Sequence, residues 1–251
     1  MTKQPKLGPR PVAERAAAAT SRVNLSDVAY DRLEELIVTC ALRPGLFLSI
    51  QDLQDHTGVG RTPIHQAVSR LASDTLIIIR PRHGLQIAPV ELPRERTLLR
   101  LRRDMERFVV RLATERASAA QRAQLAQIAA TLRRRADRMP IGEFNQFDRQ
   151  IDHLLIAATG EAFLEHTLRP LHTIFRRIGW IYHRWVRPTE GFARTRECHL
   201  AILDAVVAKR MTEAVTASDR LITFSDSMFD VLGRGIEPSL LDCNLEMRAA
   251  G

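Results

Sequence analysis

The sequence predicts a mainly α-helical protein in two parts, a winged helix-turn-helix with a small β-hairpin wing and then an all-helical bundle. Within residues 25–90, three amphipathic helical patterns precede two short β-rich runs that a Pro- and Gly-containing turn joins. From Arg94 onward, long patterns of helical periodicity follow one another without a convincing strand pattern. We therefore divide the chain into a disordered basic tail (1–24), a winged helix-turn-helix DNA-binding domain (25–90), a linker (91–93), an all-helical domain (94–233) and a loose C-terminal tail (234–251).

The composition limits the classes of function. The chain has 251 residues, of which 45% are hydrophobic, enough for two packed domains. Its formal net charge of +8 favours an anionic partner. No apolar run reaches the ~18 residues of a membrane span, and the N-terminus lacks the apolar region of a signal peptide. The three cysteines form no CxxC pair, so we expect a cytoplasmic protein without a membrane partner.

Caps and apolar spacing mark the first two helices. The stretch SDVAYDRLEELIVTC predicts a helix with Ser26 as its N-cap, because apolar residues recur there at i, i+3, i+4 and i+7. Pro44 and Gly45 end this pattern. A second short helix is predicted from about Ile50 to Thr57, with Leu53 pointing inward.

The stretch GVGRTPIHQAV opens a third helix with one apolar and one polar face. Thr62 is predicted as its N-cap and Pro63 as its first residue, where a missing N–H is no loss. The helix is expected to run to about Asp74. Its apolar stripe comprises Ile64, Val68 and Leu71, and its polar face comprises Arg61, His65 and Ser69. Such a helix is suited to contact a polar partner.

Two β-rich runs, LIIIR and LQIAPV, are joined by the turn Pro81-Arg82-His83-Gly84 and predict a hairpin wing. In a helix-turn-helix, the second helix of the motif enters the major groove of double-stranded DNA, where Arg can pair with guanine and Gln with adenine. The predicted DNA-contacting residues are Arg61, Thr62, His65, Gln66 and Ser69 on the helix, and Arg80, Arg82, His83 and Gly84 on the wing.

Residues 28–90 resemble the DNA-binding domain of the GntR family of bacterial transcription regulators. The shared motifs are Pro-Gly followed by L-x-x-x-x-L, then GV-x-RTP, and finally RP-x-x-G. The chain departs from the family at His65-Gln66, where Arg-Glu is usual, and at Gln51, where Arg is frequent. The resemblance implies DNA contacts from Arg61 and the wing and a base preference that differs from the family norm. A histidine at position 65 also predicts a DNA affinity that depends on pH near neutrality.

The helical part is similar to the FCD ligand domain of the FadR subfamily, through LRLRRDMERFVVRLA, FDRQIDHLLIAATGEAFL and ECHLAILDAVVAKRMTEAV. Many FCD domains bind a divalent metal through an Asp, a His four residues later and two further His. Asp148 and His199 match this set, Asp152 stands in place of the first His, and the last position falls near Leu221. The resemblance implies at most a reduced site for an ion such as zinc, held by Asp148, Asp152 and His199, with His172 as a substitute ligand.

The same residues also permit a site without metal. Asp148 and Asp152 form a like-charge i, i+4 pair, which Arg102, Arg176 or a bound cation would neutralise. An interior arginine suits a carboxylate effector because its fork makes paired contacts. His199, on an apolar stripe, fits equally well as a core histidine. The predicted effector-binding residues are Arg102, Asp148, Asp152, Arg176, Tyr182 and His199.

The leading hypothesis is a ligand-responsive transcription regulator, more often a repressor in the family that it resembles. It would bind a palindromic operator as a homodimer and respond to a small-molecule effector, an organic acid. One alternative is a constitutive DNA-binding dimer without an effector. A second is a metal-dependent enzyme built on the Asp148 cluster. The chain contains no HExxH, nucleophile motif or Gly-rich phosphate loop, so we predict no catalytic residues.

Overall fold

The computed structural model describes residues 24–136, 138–187 and 192–245, so the predicted tail 1–24 lies outside it except for Asn24. The N-terminal part contains α1 (Leu25–Val38), β1 (Phe47–Leu48), α2 (Ile50–Thr57), α3 (Arg61–Ser73), β2 (Ile77–Arg80) and β3 (Gly84–Ile87). The C-terminal part contains α4 (Leu92–Arg116), α5 (Ala119–Arg134), α6 (Ile141–Thr159), α7 (Phe163–Ile181), α8 (Ala193–Val207) and α9 (Met211–Gly235). A π-helical turn, Tyr182–Val186, follows α7, and a 3₁₀ turn, Pro238–Leu240, follows α9. The predicted fold class is confirmed.

The wing belongs to a three-stranded antiparallel sheet with the order β1-β3-β2. Strands β2 and β3 form the predicted hairpin, in which Arg80 lies opposite Gly84. Strand β1 adds to the other edge of β3, where Phe47 lies opposite Gln86. The sequence did not predict β1, because two residues are too few to show the alternation of a strand.

The starts of α1 and α3 differ from the predicted caps. Asn24, not Ser26, caps α1, since its side chain accepts a hydrogen bond from the Ser26 N–H at 3.1 Å. Helix α3 begins at Arg61 with Gly60 as its N-cap, so the prediction of Thr62 as the cap is wrong. Pro63 is therefore the third helical residue. It is tolerated there because the first four N–H groups of a helix have no intrahelical partner.

Two predicted irregular segments are ordered. The predicted linker, 91–93, supplies the N-cap and first residues of α4. The loose tail predicted from residue 234 is wrong as far as residue 245. There the Leu241 carbonyl accepts from the Val90 N–H at 2.8 Å, and the Asn244 side chain donates to the Gly45 carbonyl at 2.7 Å. Contacts of this kind, made to backbone carbonyl and N–H groups, produce no periodic pattern in the sequence, so the order of this segment was not predicted. Residues 246–251 lie outside the described part.

Helix α7 joins the two domains. Its Ile174 packs into the core of the DNA-binding domain with residues of α1, α3 and the sheet. Three residues further along α7, Arg177 donates from Nη1 to the Ala88 carbonyl at 2.8 Å. The remaining helices enclose a separate apolar core, in which α9 lies against α4 and α8. None of the helices in the described part is long and apolar enough to cross a bilayer.

Candidate nucleic-acid interface and effector cavity

Helix α3 presents the predicted polar residues to solvent. Its apolar side chains Ile64, Ala67, Val68 and Leu71 are buried against α1 and α2. The five side chains predicted to contact DNA are all exposed, namely Arg61, Thr62, His65, Gln66 and Ser69. The 3.6-residue repeat of the helix separates the two sets, because each turn returns the apolar positions to the core side.

Helix α1 supports this exposed face at two positions one turn apart, Gln66 and Arg70. The Ser26 hydroxyl donates to the Gln66 side-chain oxygen, which orients the Gln66 amide. Arg70 pairs with Asp27 at 2.6 Å and lies over the Tyr30 ring at 4.4 Å. In contrast, Arg61 and His65 make no ion pair with any described residue, so their side chains are available to an external partner.

The wing carries two further arginines and a histidine into solvent. Arg80, at the end of β2, donates from Nε to the Gln86 side-chain oxygen at 3.0 Å, and this bond fixes its direction. Arg82 and His83 lie exposed in the turn that follows. Gly84 has a φ of +87°, and a Cβ there would lie 3.0 Å from the Leu48 carbonyl oxygen. The positive φ of the turn and the close approach of β1 therefore explain why this position holds a glycine.

Inside the helical domain, Asp148 and His199 form a buried pair. The His199 Nε2 lies 2.6 Å from Asp148 Oδ1, while Nδ1 donates to the Thr195 carbonyl at 2.8 Å. Burial alone raises the pKa of Asp148, but the charge and hydrogen bond of His199 outweigh it and lower that pKa to about 2. Burial lowers the pKa of His199, yet the facing Asp148 carboxylate raises it overall. Each partner thus favours the charged form of the other.

Arginines take the neutralising role that the sequence left open between them and a cation. The Arg176 Nε lies 3.9 Å from Asp148 Oδ2. Arg102 donates from Nε to Glu106 Oε1 at 2.9 Å, and its guanidinium carbon lies 5.3 Å from the centre of the Phe175 ring. Both arginines are buried. The acidic pair on α6 is thus balanced by cations from α4 and α7.

Asp152 belongs to a second cluster, which sequence reasoning missed. Its Oδ2 lies 3.3 Å from His172 Nδ1, and His172 Nε2 lies 2.8 Å from Glu106 Oε1. Burial raises the pKa of Asp152 to about 6, assisted by the nearby Asp148 charge. The pKa of Glu106 falls to about 2, because His172 and Arg102 outweigh the effect of burial. No local pattern could have found this cluster, since His172 reaches it from a different helix.

The donor set does not fit a divalent metal ion. Asp148 faces His199, whereas Asp152 faces His172, so the three predicted metal ligands do not converge. A cation is also already present beside Asp148, since the Arg176 Nε lies 3.9 Å from its Oδ2. Among the described residues, no group of three or more His, Cys, Asp or Glu side chains could hold a metal ion. The predicted zinc site is therefore corrected to a network of internal ion pairs.

A small cavity lies beside the first cluster, between α6, α7, α8 and α9. Its volume is about 50 Å³, and its lining includes Arg102, Phe144, Asn145, Asp148, Arg176 and His199. This space holds about two water molecules, so a larger ligand needs side-chain rearrangement. Two predicted effector residues do not line it. Asp152 faces a 640 Å³ cleft between the domains, and Tyr182 is buried beside Phe224.

Two family models match the chain. The model described as "Bacterial regulatory proteins, gntR family" matches residues 25–87, and the model described as "FCD domain" matches residues 97–224. The HTH-type transcriptional repressor RspR of Escherichia coli (strain K12) is 28% identical over 186 residues, which cover 74% of this chain and 80% of RspR. Both models and this relative concern transcription regulators and not enzymes.

Solved structures share the fold. E. coli McbR/YncC has a TM-score of 0.72 at 18% identity and covers 83% of this chain and 98% of its own. A GntR transcriptional regulator from Rhodococcus sp. RHA1 has a TM-score of 0.61, also at 18% identity, and covers 84% and 99%. At such identities the likeness shows the fold alone.

Proposed function

Because the chain belongs to the GntR family of bacterial transcription regulators and carries an FCD domain, we propose that it is a repressor that binds a palindromic operator as a homodimer and is released by a small organic acid. The observation that carries the DNA part of this proposal is the exposed face of α3. Its Arg61 and His65 side chains are exposed and make no ion pair with a described residue, while the apolar side chains of the opposite face are buried. Repression is favoured by the relative RspR, which is named a transcriptional repressor.

The exposed residues of α3 divide into two roles. Arg61 can form paired hydrogen bonds with guanine, and Gln66, held by Ser26, can bind adenine. Thr62 and Ser69 are hydroxyl donors suited to phosphate. The wing residues Arg80, Arg82 and His83 extend the positive surface toward the neighbouring backbone. This division predicts that substitutions on α3 alter sequence preference, whereas substitutions on the wing weaken binding to all sequences.

A homodimer is supported by an exposed apolar face on α4. Leu101 and Phe108 are 52% and 53% exposed and stand seven residues apart, which places them on one side of the helix. Large apolar side chains in such a position commonly mark an interface. A two-fold dimer presents two α3 helices, and this symmetry matches a palindromic operator.

The effector part of the proposal follows from the cavity. Two of its polar atoms, Arg176 Nε and Asn145 Nδ2, are buried without a hydrogen-bond acceptor among the described residues. A carboxylate supplies such acceptors and gains a charge-assisted contact with the guanidinium. Phe144 and Leu221 also line this cavity, whose volume of about 50 Å³ suits a small ligand. These features favour a compact organic acid.

The proposal is tested by titrating purified protein into DNA from upstream of its own gene. R61A is expected to weaken binding about tenfold or more, since one bidentate base contact contributes about 1–3 kcal/mol. The control, R134A, removes one exposed positive charge from α5 and is expected to change affinity by less than about twofold. Equal losses in both variants, or binding without sequence preference, would contradict the proposal.

The effector is screened with the same DNA, using acetate, pyruvate, succinate and citrate as probes of increasing size and charge. Release by one of these acids that R176M abolishes supports the cavity as the site. Sequence-selective binding that none of them changes would favour the alternative, a constitutive DNA-binding dimer. The oligomeric state is measured by sedimentation, where L101D/F108D is expected to give a monomer if α4 forms the interface.

A further inference from the structure

Arg176 stands between the cavity and the DNA-binding domain. Its side chain is 8% exposed, and its Nη2 lies 3.7 Å from Glu34 Oε1 on α1. The other edge of the same guanidinium faces the cavity, with Nε 3.9 Å from Asp148 Oδ2. Both distances exceed that of a hydrogen bond. A single cation is therefore shared between two carboxylates, one in each domain.

Glu34 depends on this cation. The residue is 1% exposed, and its Oε1 accepts a hydrogen bond from the Thr173 hydroxyl of α7. Its Oε2 lies 3.4 Å from Arg149 Nη2 and accepts no hydrogen bond from the described residues. A buried carboxylate is costly unless cations and donors surround it. Withdrawing Arg176 would thus weaken the docking of α1 on α7.

Helix α1 is also the support of the DNA-reading helix. It contacts α3 through the Ser26–Gln66 hydrogen bond and the Asp27–Arg70 ion pair, about two turns before Glu34 on the same helix. A change in how α1 docks on α7 is therefore carried to the orientation of α3 relative to the helical domain. In a dimer, that orientation sets the spacing of the two reading helices.

We propose that Arg176 transmits the state of the cavity to the DNA-binding domain by exchanging partners between Asp148 and Glu34. This inference rests on the proposed function, in which the cavity takes a carboxylate effector. A carboxylate that meets the Nε edge draws the guanidinium toward the cavity and away from Glu34, because one side chain cannot approach both at hydrogen-bond distance. The ligand thereby shifts the equilibrium between two states of the protein, one in which α1 of the DNA-binding domain is docked on α7 and one in which it is not.

The coupling is tested without DNA or effector, by amide hydrogen exchange of the full-length protein. D148N removes the cavity-side charge and lets Arg176 move toward Glu34. The α1 amides are then expected to exchange about fivefold more slowly relative to the α5 amides, at the low end of couplings between sites. In R176M, the α1 amides exchange faster than in the wild type, and adding D148N changes them no further.

The control variant S225A alters the same cavity without touching Arg176, because the Ser225 hydroxyl donates only to Leu221 of its own helix. It is expected to leave α1 exchange unchanged. An equal effect of D148N with and without Arg176, or no effect in either background, overturns the proposal. This hydrogen-exchange experiment uses no DNA, so a negative result would contradict the role of Arg176 and leave the proposed DNA binding unaffected. If R61A fails to weaken DNA binding, only the proposed function is contradicted.

A reciprocal experiment on Glu34 tests the same coupling if D148N folds poorly. E34Q removes the other carboxylate, so Arg176 moves toward Asp148. The α6 amides around position 148 are then expected to slow by a comparable factor of about five, because coupling between two sites is reciprocal. R176M is again expected to abolish the effect. If E34Q changes α6 equally in the R176M background, direct domain contacts carry the coupling and Arg176 does not.

Discussion

On α3, Arg61 and His65 stand in solvent without an ionic partner among the described residues, whereas Asp148 and His199 face each other at 2.6 Å inside the helical domain. The two polar regions differ in what a ligand must displace. A DNA phosphate or base meets the α3 side chains by displacing water and the counterions of the DNA, and breaks no internal ion pair of Arg61 or His65. An effector in the cavity must instead compete with buried ion pairs such as that between Arg102 and Glu106.

Because of this difference, the affinity for DNA depends on one region and the response to a ligand depends on the other. The exposed face has its residues fixed by the buried side of one helix, so it is ready to bind as it stands. The buried network is poised to exchange partners, because Arg176 lies near two carboxylates and forms a hydrogen bond with neither. The first region is suited to recognition and the second to regulation. The predictions below separate the two by measuring stability in one region and DNA affinity in the other.

The largest effect is expected at Glu95, a buried acid on α4 that is 4% exposed. Burial raises its pKa to about 7, only partly offset by Arg177. A folded pKa above the unfolded value means that stability falls as pH rises from about 4.5 to 7. E95Q is therefore expected to raise the free energy of unfolding by on the order of 3 kcal/mol at pH 8 and by little at pH 4.5.

Urea unfolding of E95Q and the wild type at both pH values checks this expectation. E91Q, at the exposed N-cap of α4, is the matched control and should show no comparable gain. A loss of stability in E95Q at pH 8 would mean that the favourable charge of Arg177 outweighs the cost of burying the Glu95 carboxylate.

A smaller effect of opposite sign is expected at Asp148, a buried acid with partners. Its folded pKa of about 2 lies below the unfolded value, so its contribution is present above about pH 4 and lost as pH falls through 2. D148N is expected to lower the free energy of unfolding by on the order of 2 kcal/mol at pH 7 and by less at pH 3. Chemical denaturation at the two pH values measures this difference.

The control for this prediction is D204N. Asp204 pairs with Arg133 at the surface, where both side chains are more than two-fifths exposed, and such pairs contribute about 1 kcal/mol or less. If D148N and D204N cost the same, the buried pair has no special role in the stability of the helical domain.

The smallest effect is expected at the wing. Arg82 is exposed in the turn between β2 and β3, so R82A should leave stability unchanged. It should weaken DNA binding about threefold for all sequences and reduce the slope of log affinity against log salt by about 0.9, the value for one phosphate contact. Affinities at four salt concentrations provide the measurement. A loss confined to one sequence would instead indicate base readout by Arg82.

The sequence predicted those features that depend on local periodicity. The buried and exposed faces of α3 follow from the positions of Ile64 and Arg61 along one helix, and the hairpin follows from its turn at Gly84. The first two residues of α4 and the two-residue strand β1 were missed because such short segments carry no period. Helix starts shifted by one or two residues, since several neighbouring residues can serve as a cap.

The buried network could be predicted only in part. Asp148, Arg102 and His199 were singled out by family spacing, but their partners depend on the angles between helices. His172 meets Asp152 and Glu106 across three helices, and Glu34 meets Arg176 across the domain boundary. Nothing in the local sequence encodes these meetings. The same reason explains why residues 236–245, without periodicity, pack against the loop at Gly45.

The most direct test of the central claim, that the α3 face and the wing contact DNA, is hydrogen exchange of the protein with and without its operator. We expect slower exchange of the amides in residues 61–73 and 80–84 when DNA is bound, with those of α5 unchanged. Protection confined to the helical domain, or spread evenly over the protein, would show that α3 and the wing are not the DNA-binding surface.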